Sequence, residues 1–221
     1  MSKTQTPYIP ALSYDWLTKF YDPLIKWGMQ ENTFKNALVK QAQIEDGFKL
    51  LDVGCGTATL AILIKEQHPL SEVYGIDGDD NILSIAQEKV TSSGLSINLK
   101  KAMAYQLPYP DNHFDRVFSS LVFHHLTTEQ KGLAFKEISR VLKPNGEFHL
   151  ADWDKGHNLL MKIASLTVQL LDGFQTTSDN FQGRLQDIFM AAGFKQVERS
   201  QQFMTVLGTL SLFKGKKHIN R

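Results

Sequence analysis

The stretch Leu50-Leu51-Asp52-Val53-Gly54-Cys55-Gly56-Thr57-Ala58-Thr59-Leu60 constrains this chain more than any other. A short apolar run that reads as a buried strand enters a glycine-rich turn, and the turn opens a helical pattern. Glycines at 54 and 56 leave the main chain bare, and a helix start offers unpaired amide donors, so a ligand can approach backbone there. Strand, turn and helix in that order form the first unit of a parallel α/β sheet, whose ligands sit beyond the carboxyl ends of the strands. A dinucleotide site would use the same donors for a pyrophosphate, but it usually adds a third glycine for close helix packing, where this chain has Thr59. Asp52, just before the turn, would repel a diphosphate and can accept from a ligand ammonium group. The expected ligand is amino-acid-like.

The rest of the chain extends that unit. Short apolar runs at 50–53, 73–77, 97–100, 116–120 and 148–152 are bounded by Gly, Pro, Asp or Asn, as buried strands are. Between them the spacing predicts a helix over 57–67 with a hydroxyl cap at its start. A second, over 81–90, is capped by Asp79 or Asp80, and a third is opened by a Thr127–Gln130 capping box and stopped by Pro144. Leu159, Leu160, Ile163, Leu166, Thr167, Leu170 and Leu171 trace one face of an inserted helix over 158–171. A further helix over 184–192 carries Leu185, Ile188 and Phe189 on one side and stops at Gly193. Two β-prone runs, 195–200 and 205–213, are close enough to pair antiparallel. Residues 14–39 carry apolar side chains at helical spacing, with breaks at Asp22-Pro23, Gly28 and Asn32. The expected fold is α/β and Rossmann-like: a mostly parallel seven-stranded sheet with one antiparallel strand and helices on both faces.

Charge and cysteine usage remove several classes of function. With 24 basic and 23 acidic residues the formal charge is +1, and like charge clusters only at Lys214, Lys216 and Lys217, so nucleic acid is not an expected partner. Apolar runs are broken every few residues, far short of the roughly 20 needed to span a bilayer. Residues 1–10 contain no stretch resembling a secretory signal, and the single Cys55 has no internal partner, so a cytoplasmic location is expected. In its Gly-Cys-Gly run Cys55 reads as a small filler and not a nucleophile.

A second signal lies about twenty residues past the turn, where the apolar run Val73-Tyr74-Gly75-Ile76 ends in Asp77-Gly78. Asp77 is placed to accept both hydroxyls of a ribose; the alternative is a helix cap, for which Asp79 and Asp80 are also available. With these residues in hand, the chain resembles the class I S-adenosylmethionine-dependent methyltransferases, in the broad group that includes the ubiquinone and menaquinone C-methyltransferases. The likeness continues through Leu107-Pro108-Tyr109-Pro110-Asp111, Ser119-Ser120-Leu121-Val122-Phe123-His124-His125-Leu126 and Arg140-Val141-Leu142-Lys143-Pro144-Asn145-Gly146. The order and spacing of these segments carry it. It implies S-adenosyl-L-methionine as cofactor, held around Tyr21, Asp52, Gly54, Cys55, Gly56, Asp77, Gly78, Met103, Ala104, Tyr105, Ser120 and Leu121, with Lys35 within reach of the cofactor carboxylate. One position departs from the pattern: Met103 stands where the family usually has an acidic residue for the adenine amino group.

Transfer from a sulfonium is an in-line displacement in which the protein chiefly aligns the partners and excludes water. A base that removes a proton from the acceptor helps, and His124 and His125 follow the fourth strand on the ligand side of the sheet. A histidine that merely caps the next helix is the alternative. Asp152, at the end of the fifth strand, either orients an acceptor hydroxyl or serves the structure, and Trp153 lies beside it. No metal site is expected. The resemblance makes 1–221 one methyltransferase domain, with 1–45 as an N-terminal helical lid and 154–182 as an inserted helical segment over the acceptor site. The insert's apolar face, with Phe174 and Phe181, is expected to wall a pocket or bury itself in a partner, so the protein is a monomer or homodimer. The acceptor is then a small, partly hydrophobic molecule. A nicotinamide-dependent oxidoreductase and a noncatalytic binding protein of the same fold are the alternatives.

Overall fold

The computed structural model describes residues 31–218. Tyr21, most of the expected N-terminal lid and the breaks at Asp22-Pro23 and Gly28 lie outside the described residues. Seven strands form one sheet: β1 (Lys49–Val53), β2 (Glu72–Asp77), β3 (Ile97–Lys101), β4 (Phe114–Ser120), β5 (Leu142–Asp154), β6 (Phe194–Thr205) and β7 (Gly208–Lys217). Their order is β3-β2-β1-β4-β5-β7-β6. The first five are mutually parallel, and β7 runs antiparallel to both of its neighbours, so one strand is reversed as expected.

Side chains alternate along the strands, which builds a core on each face of the sheet. Leu50 and Phe118 point into one core, with Phe34 and Leu38 of α1 (Glu31–Gln41), Leu60 and Ile64 of α2 (Thr59–Gln67) and Val90 of α3 (Asp80–Ser93). Leu51 and Val117 point into the other, with Phe135 and Ile138 of α4 (Thr128–Val141) and Phe189 of α7 (Leu185–Ala191). Two further helices, α5 (Leu159–Asp172) and α6 (Phe174–Phe181), lie between β5 and α7 in sequence.

Several local expectations change. Asn32 does not break α1, which runs through it. Helix α2 begins at Thr59, not 57, because Ala58 takes a left-handed conformation (φ 61°, ψ 21°) and no side chain caps it; the Thr57 hydroxyl lies 3.4 Å from Thr59 Oγ1 instead. Asp79 caps α3 by accepting from the Asn81 and Ile82 amides, and the Thr127–Gln130 capping box is formed. Helix α4 ends at Val141 where Leu142 turns extended, so Pro144 sits inside β5 rather than after a helix. Pairing with β4 shifts register between Phe114 and Arg116, and Asn145 adopts a φ of 64°, which lets the strand absorb a residue without an amide hydrogen. Helix α5 keeps its apolar face outside the core. Its buried face is Met161, Ser165 and Val168, while Leu159, Leu160, Ile163, Leu166, Leu170 and Leu171 are exposed.

Candidate active site

Strand register lines up the chemistry in one row. Asp52 of β1 pairs with Gly75 of β2 and Phe118 of β4, and Ser120 of β4 pairs with Ala151 of β5. The next residues along each strand or loop are Asp77, Gly54, Leu121 and Asp152, so all sit at the carboxyl edge, around the point between β1 and β4 where the strand order reverses. Open α/β sheets place ligands there.

The glycine turn is held from β2. Cys55 donates its amide to the Ile76 carbonyl at 2.8 Å, and Gly56 donates its amide to Asp77 Oδ2 at 2.9 Å. Asp77 Oδ1 accepts from the Asp79 amide at 3.0 Å. Each carboxylate oxygen of Asp77 therefore retains a second lone pair for a ligand hydroxyl. The two glycines serve different needs. At Gly56 (φ 53°) an added Cβ would meet nothing within 4 Å, so space lies open over the turn. At Gly54 (φ 70°) an added Cβ would come within 2.4 Å of Val122 Cγ2, so its bareness also makes room for Val122. Cys55 is buried, and burial raises its thiol pKa, in keeping with a filler.

Asp52 is fully buried, and neither carboxylate oxygen has a hydrogen-bond partner among the described residues. Burial pushes its pKa up to about 7, against the opposing charge of Lys35 and with the help of Asp77. Lys35 forms its ion pair with Glu31, 2.5 Å away on the same helix. Ser120 Oγ, two residues further along the adjacent strand than the partner of Asp52, is also buried without a partner. Leu121 has a φ of 59°, an unusual setting for a residue with a branched side chain, and donates its amide to the Ala151 carbonyl at 2.8 Å. On the other side, Ala102 donates its amide to the Asp77 carbonyl. Met103 then bridges to Gln106, placing half-buried Met103, Ala104 and Tyr105 past the ends of β2 and β3, with Gly78 half-buried beside Asp77.

The other half of the row is built from side chains. Phe123–His125 form a 3₁₀ turn after β4. Asp152, fully buried, accepts from the Phe123 and Trp153 amides at 2.7 Å each, from His124 Nδ1 at 2.7 Å and from Asn180 Nδ2 at 3.2 Å. Burial opposes its ionisation, but His124 and these donors prevail and hold its pKa below the ordinary carboxylate value. The ionised carboxylate is acceptor-only, so Nδ1 of His124 carries a hydrogen, and in the neutral form of the ring Nε2 holds the lone pair. His125 lies against His124 with ring centroids 4.0 Å apart and planes tilted by 43°, and burial together with His124 pushes its pKa down to about 3. Neither ring caps α4; Thr127 does that. Asp172, the last residue of α5, places Oδ2 3.6 Å from His124 Nε2, and burial raises its pKa.

Asn180 and Asp172 were not singled out in the sequence. The available signal was polar periodicity: Asp172, Thr176 and Asn180 recur every four residues, and Thr176, Thr177, Asp179 and Asn180 are all buried. Asp179 ties α6 down through Lys131 Nζ at 3.3 Å, Thr128 Oγ1 at 2.6 Å and Arg184 at 2.8 Å.

This sheet order, with a bare turn at its reversal point and unpartnered polar groups beside it, defines a Rossmann-like α/β fold with a ligand site at its carboxyl edge. Comparison with known proteins identifies the family. The sequence pattern of the Methyltransferase domain family matches residues 51–150. The chain is 32% identical over 188 residues to a demethylmenaquinone methyltransferase of Staphylococcus carnosus, covering 76% of this chain and 77% of that protein. It is 26% identical over 221 residues to a ubiquinone/menaquinone biosynthesis C-methyltransferase of Laribacter hongkongensis, covering 91% and 88%. In fold it is similar to the crystal structure of a SAM-dependent methyltransferase from Aquifex aeolicus, with TM-score 0.68, 21% identity, and coverage of 93% of this chain and 100% of that one. The chain belongs to the class I S-adenosylmethionine-dependent methyltransferase family. Its cofactor is S-adenosylmethionine, and the nicotinamide alternative is set aside.

The residues present suit that cofactor. A buried carboxylate without a partner at Asp52, an orphaned hydroxyl at Ser120 and open space over Gly56 match an amino-acid ligand, and the spare lone pairs of Asp77 match a ribose. No helix among the described residues is long and apolar enough to cross a membrane.

Proposed function

We propose that this methyltransferase acts on a small, partly hydrophobic hydroxylated ring of the quinol type, and that His124 takes the proton the acceptor gives up. The observation that carries the reading is the buried His124–Asp152 pair, 2.7 Å apart, one strand from the turn that holds the cofactor. Relatives named as demethylmenaquinone methyltransferases support the acceptor class.

On this reading Asp52, Gly54, Cys55 and Gly56 receive the amino-acid end of the cofactor with Ser120 and Leu121. Asp77 and Gly78 receive the ribose, and Met103, Ala104 and Tyr105 flank the adenine. Bound there, the cofactor supplies an electrophilic methyl group. Asp152 fixes the tautomer of His124 and stabilises the imidazolium that forms when Nε2 accepts a ring hydroxyl proton. The resulting phenolate is the better nucleophile at its ring carbon or oxygen. His125, kept neutral by burial, shapes the turn and does not compete for the proton. Residues 1–221 act as one domain in which 1–45 and 154–182 cover the two ligands.

The test is methyl incorporation from labelled S-adenosylmethionine into three acceptor sets: reduced naphthoquinones with short prenyl tails, tail-less catechols, and simple amines. Incorporation favouring the prenylated rings is expected. Turnover confined to amines would overturn the acceptor class.

A further inference from the structure

We propose that His124, His125 and Asp172 form a binding site for one borderline divalent transition-metal ion, of which zinc is the model. One ligand atom from each residue lies within 4.8 Å of the other two. The 3.6 Å between His124 Nε2 and Asp172 Oδ2 is too long for a hydrogen bond, yet close to the roughly 3.4 Å that separates two ligands across a tetrahedral zinc with bonds of about 2.0–2.1 Å. Two groups that face each other at that distance are spaced for a shared ion. A His125 ring nitrogen supplies the third donor within the same 4.8 Å.

The surroundings prepare the ligands. Asp152 accepts the Nδ1 hydrogen of His124 at 2.7 Å, which aims Nε2 at Asp172 and makes it a stronger donor. Asp152 is itself fixed by two backbone amides and by Asn180, so the supporting shell is rigid. Among the described residues no lysine or arginine pairs with Asp172, so its charge is directed at the histidines. Two imidazoles and one carboxylate suit zinc or cobalt better than magnesium or calcium, and three protein donors leave a fourth position for water or a ligand oxygen. The sequence expectation of no metal site arose because Asp172 lies 47 residues beyond His125 and no spacing rule connects them.

The site has a consequence that rests on the proposed base role of His124. A metal on Nε2 and a proton taken by Nε2 exclude each other, so zinc inhibits methyl transfer.

Untagged protein stripped with chelator is titrated with Co²⁺ while the visible d–d absorption is followed. One equivalent is expected to give bands of tetrahedral intensity. Asp172→Asn is expected to weaken binding at least about tenfold, and His157→Asn to leave it unchanged. Undiminished binding of S-adenosylhomocysteine shows that Asp172→Asn is folded. Absence of the bands, or a titration unaffected by Asp172→Asn, overturns the site. A separate arm measures turnover with Zn²⁺, where inhibition reversed by chelator is expected. Binding that depends on Asp172 without any inhibition overturns the base role of His124 and leaves the metal site standing.

Discussion

Two turns stand side by side at the carboxyl edge of the sheet and are made from different materials. Residues 54–57 are fixed from the neighbouring strand β2: their amide hydrogens go to the Ile76 carbonyl and to the Asp77 carboxylate, and the turn depends on what glycine lacks. Residues 123–125 are fixed through the Asp152 carboxylate, which accepts from the Phe123 amide, the His124 ring and the Asn180 side chain arriving from α6. The first turn draws on adjacent strands and needs little beyond the sheet. The second needs the inserted helices. On the proposed reading, a site assembled this way separates holding the methyl donor from choosing the acceptor, because the insert can change without disturbing the strands.

The sharpest way to break that contrast is Asp152→Asn. The amide alters the His124 tautomer, so turnover is expected to fall about 10²–10⁴-fold, while calorimetry shows S-adenosylhomocysteine affinity unchanged. Equal losses in both would mean that the two turns are one unit.

Asp52→Asn tests the other side. It is expected to weaken cofactor binding by about 1.5–3 kcal/mol, and it carries a pH signature. The folded pKa, about 7, exceeds the unfolded value near 3.8, so the folded state keeps this proton longer. The group's contribution to stability is full below pH 4 and declines as pH rises toward 7. The variant lacks that decline, so without ligand its unfolding free energy relative to wild type should rise by on the order of 3–4 kcal/mol across this window. Urea titrations at several pH values measure it; a flat difference would show that Asp52 is not a strained carboxyl.

Asp77→Ala should cost about 1–3 kcal/mol of cofactor affinity and about 1–2 kcal/mol of stability, since it deletes two bonds to backbone amides as well as the ribose contacts. Thermal unfolding with and without S-adenosylhomocysteine separates the two losses. The smallest effect is expected from Thr127→Ala, which removes the α4 cap for about 1 kcal/mol and moves neither cofactor affinity nor turnover. A fall in turnover there would show that the histidine turn takes its position from α4 as well as from the insert.

How far each half could be read in advance follows from the same difference. Asp52, the glycines and Asp77 are legible because a strand end, a tight turn and a helix start are contiguous in sequence and each demands particular residues. His124, His125 and Asp152 are legible as candidates, since strand ends locate them. Their partners are not, because Asn180 lies 28 residues from Asp152 and nothing local announces the meeting. What covers the outward face of α5 is illegible for a related reason. Apolar periodicity marks a face that avoids water, without naming what covers it, and here Ser165 packs inward while Leu170 stays exposed. At Gly54 the need for a bare position is legible, while its packing against Val122, 68 residues further on, is not.

That contact joins the two turns mechanically. Val122 seats against Gly54 and directly precedes the 3₁₀ turn Phe123–His125, so on the proposed reading it is a shared wall between the donor and acceptor sites. An acceptor that displaces the histidine turn must press on the donor loop through this methyl-bearing side chain. By thermodynamic reciprocity, occupancy of either site then changes affinity in the other by the same factor. Trimming the wall with Val122→Ala loosens that communication in both directions at once.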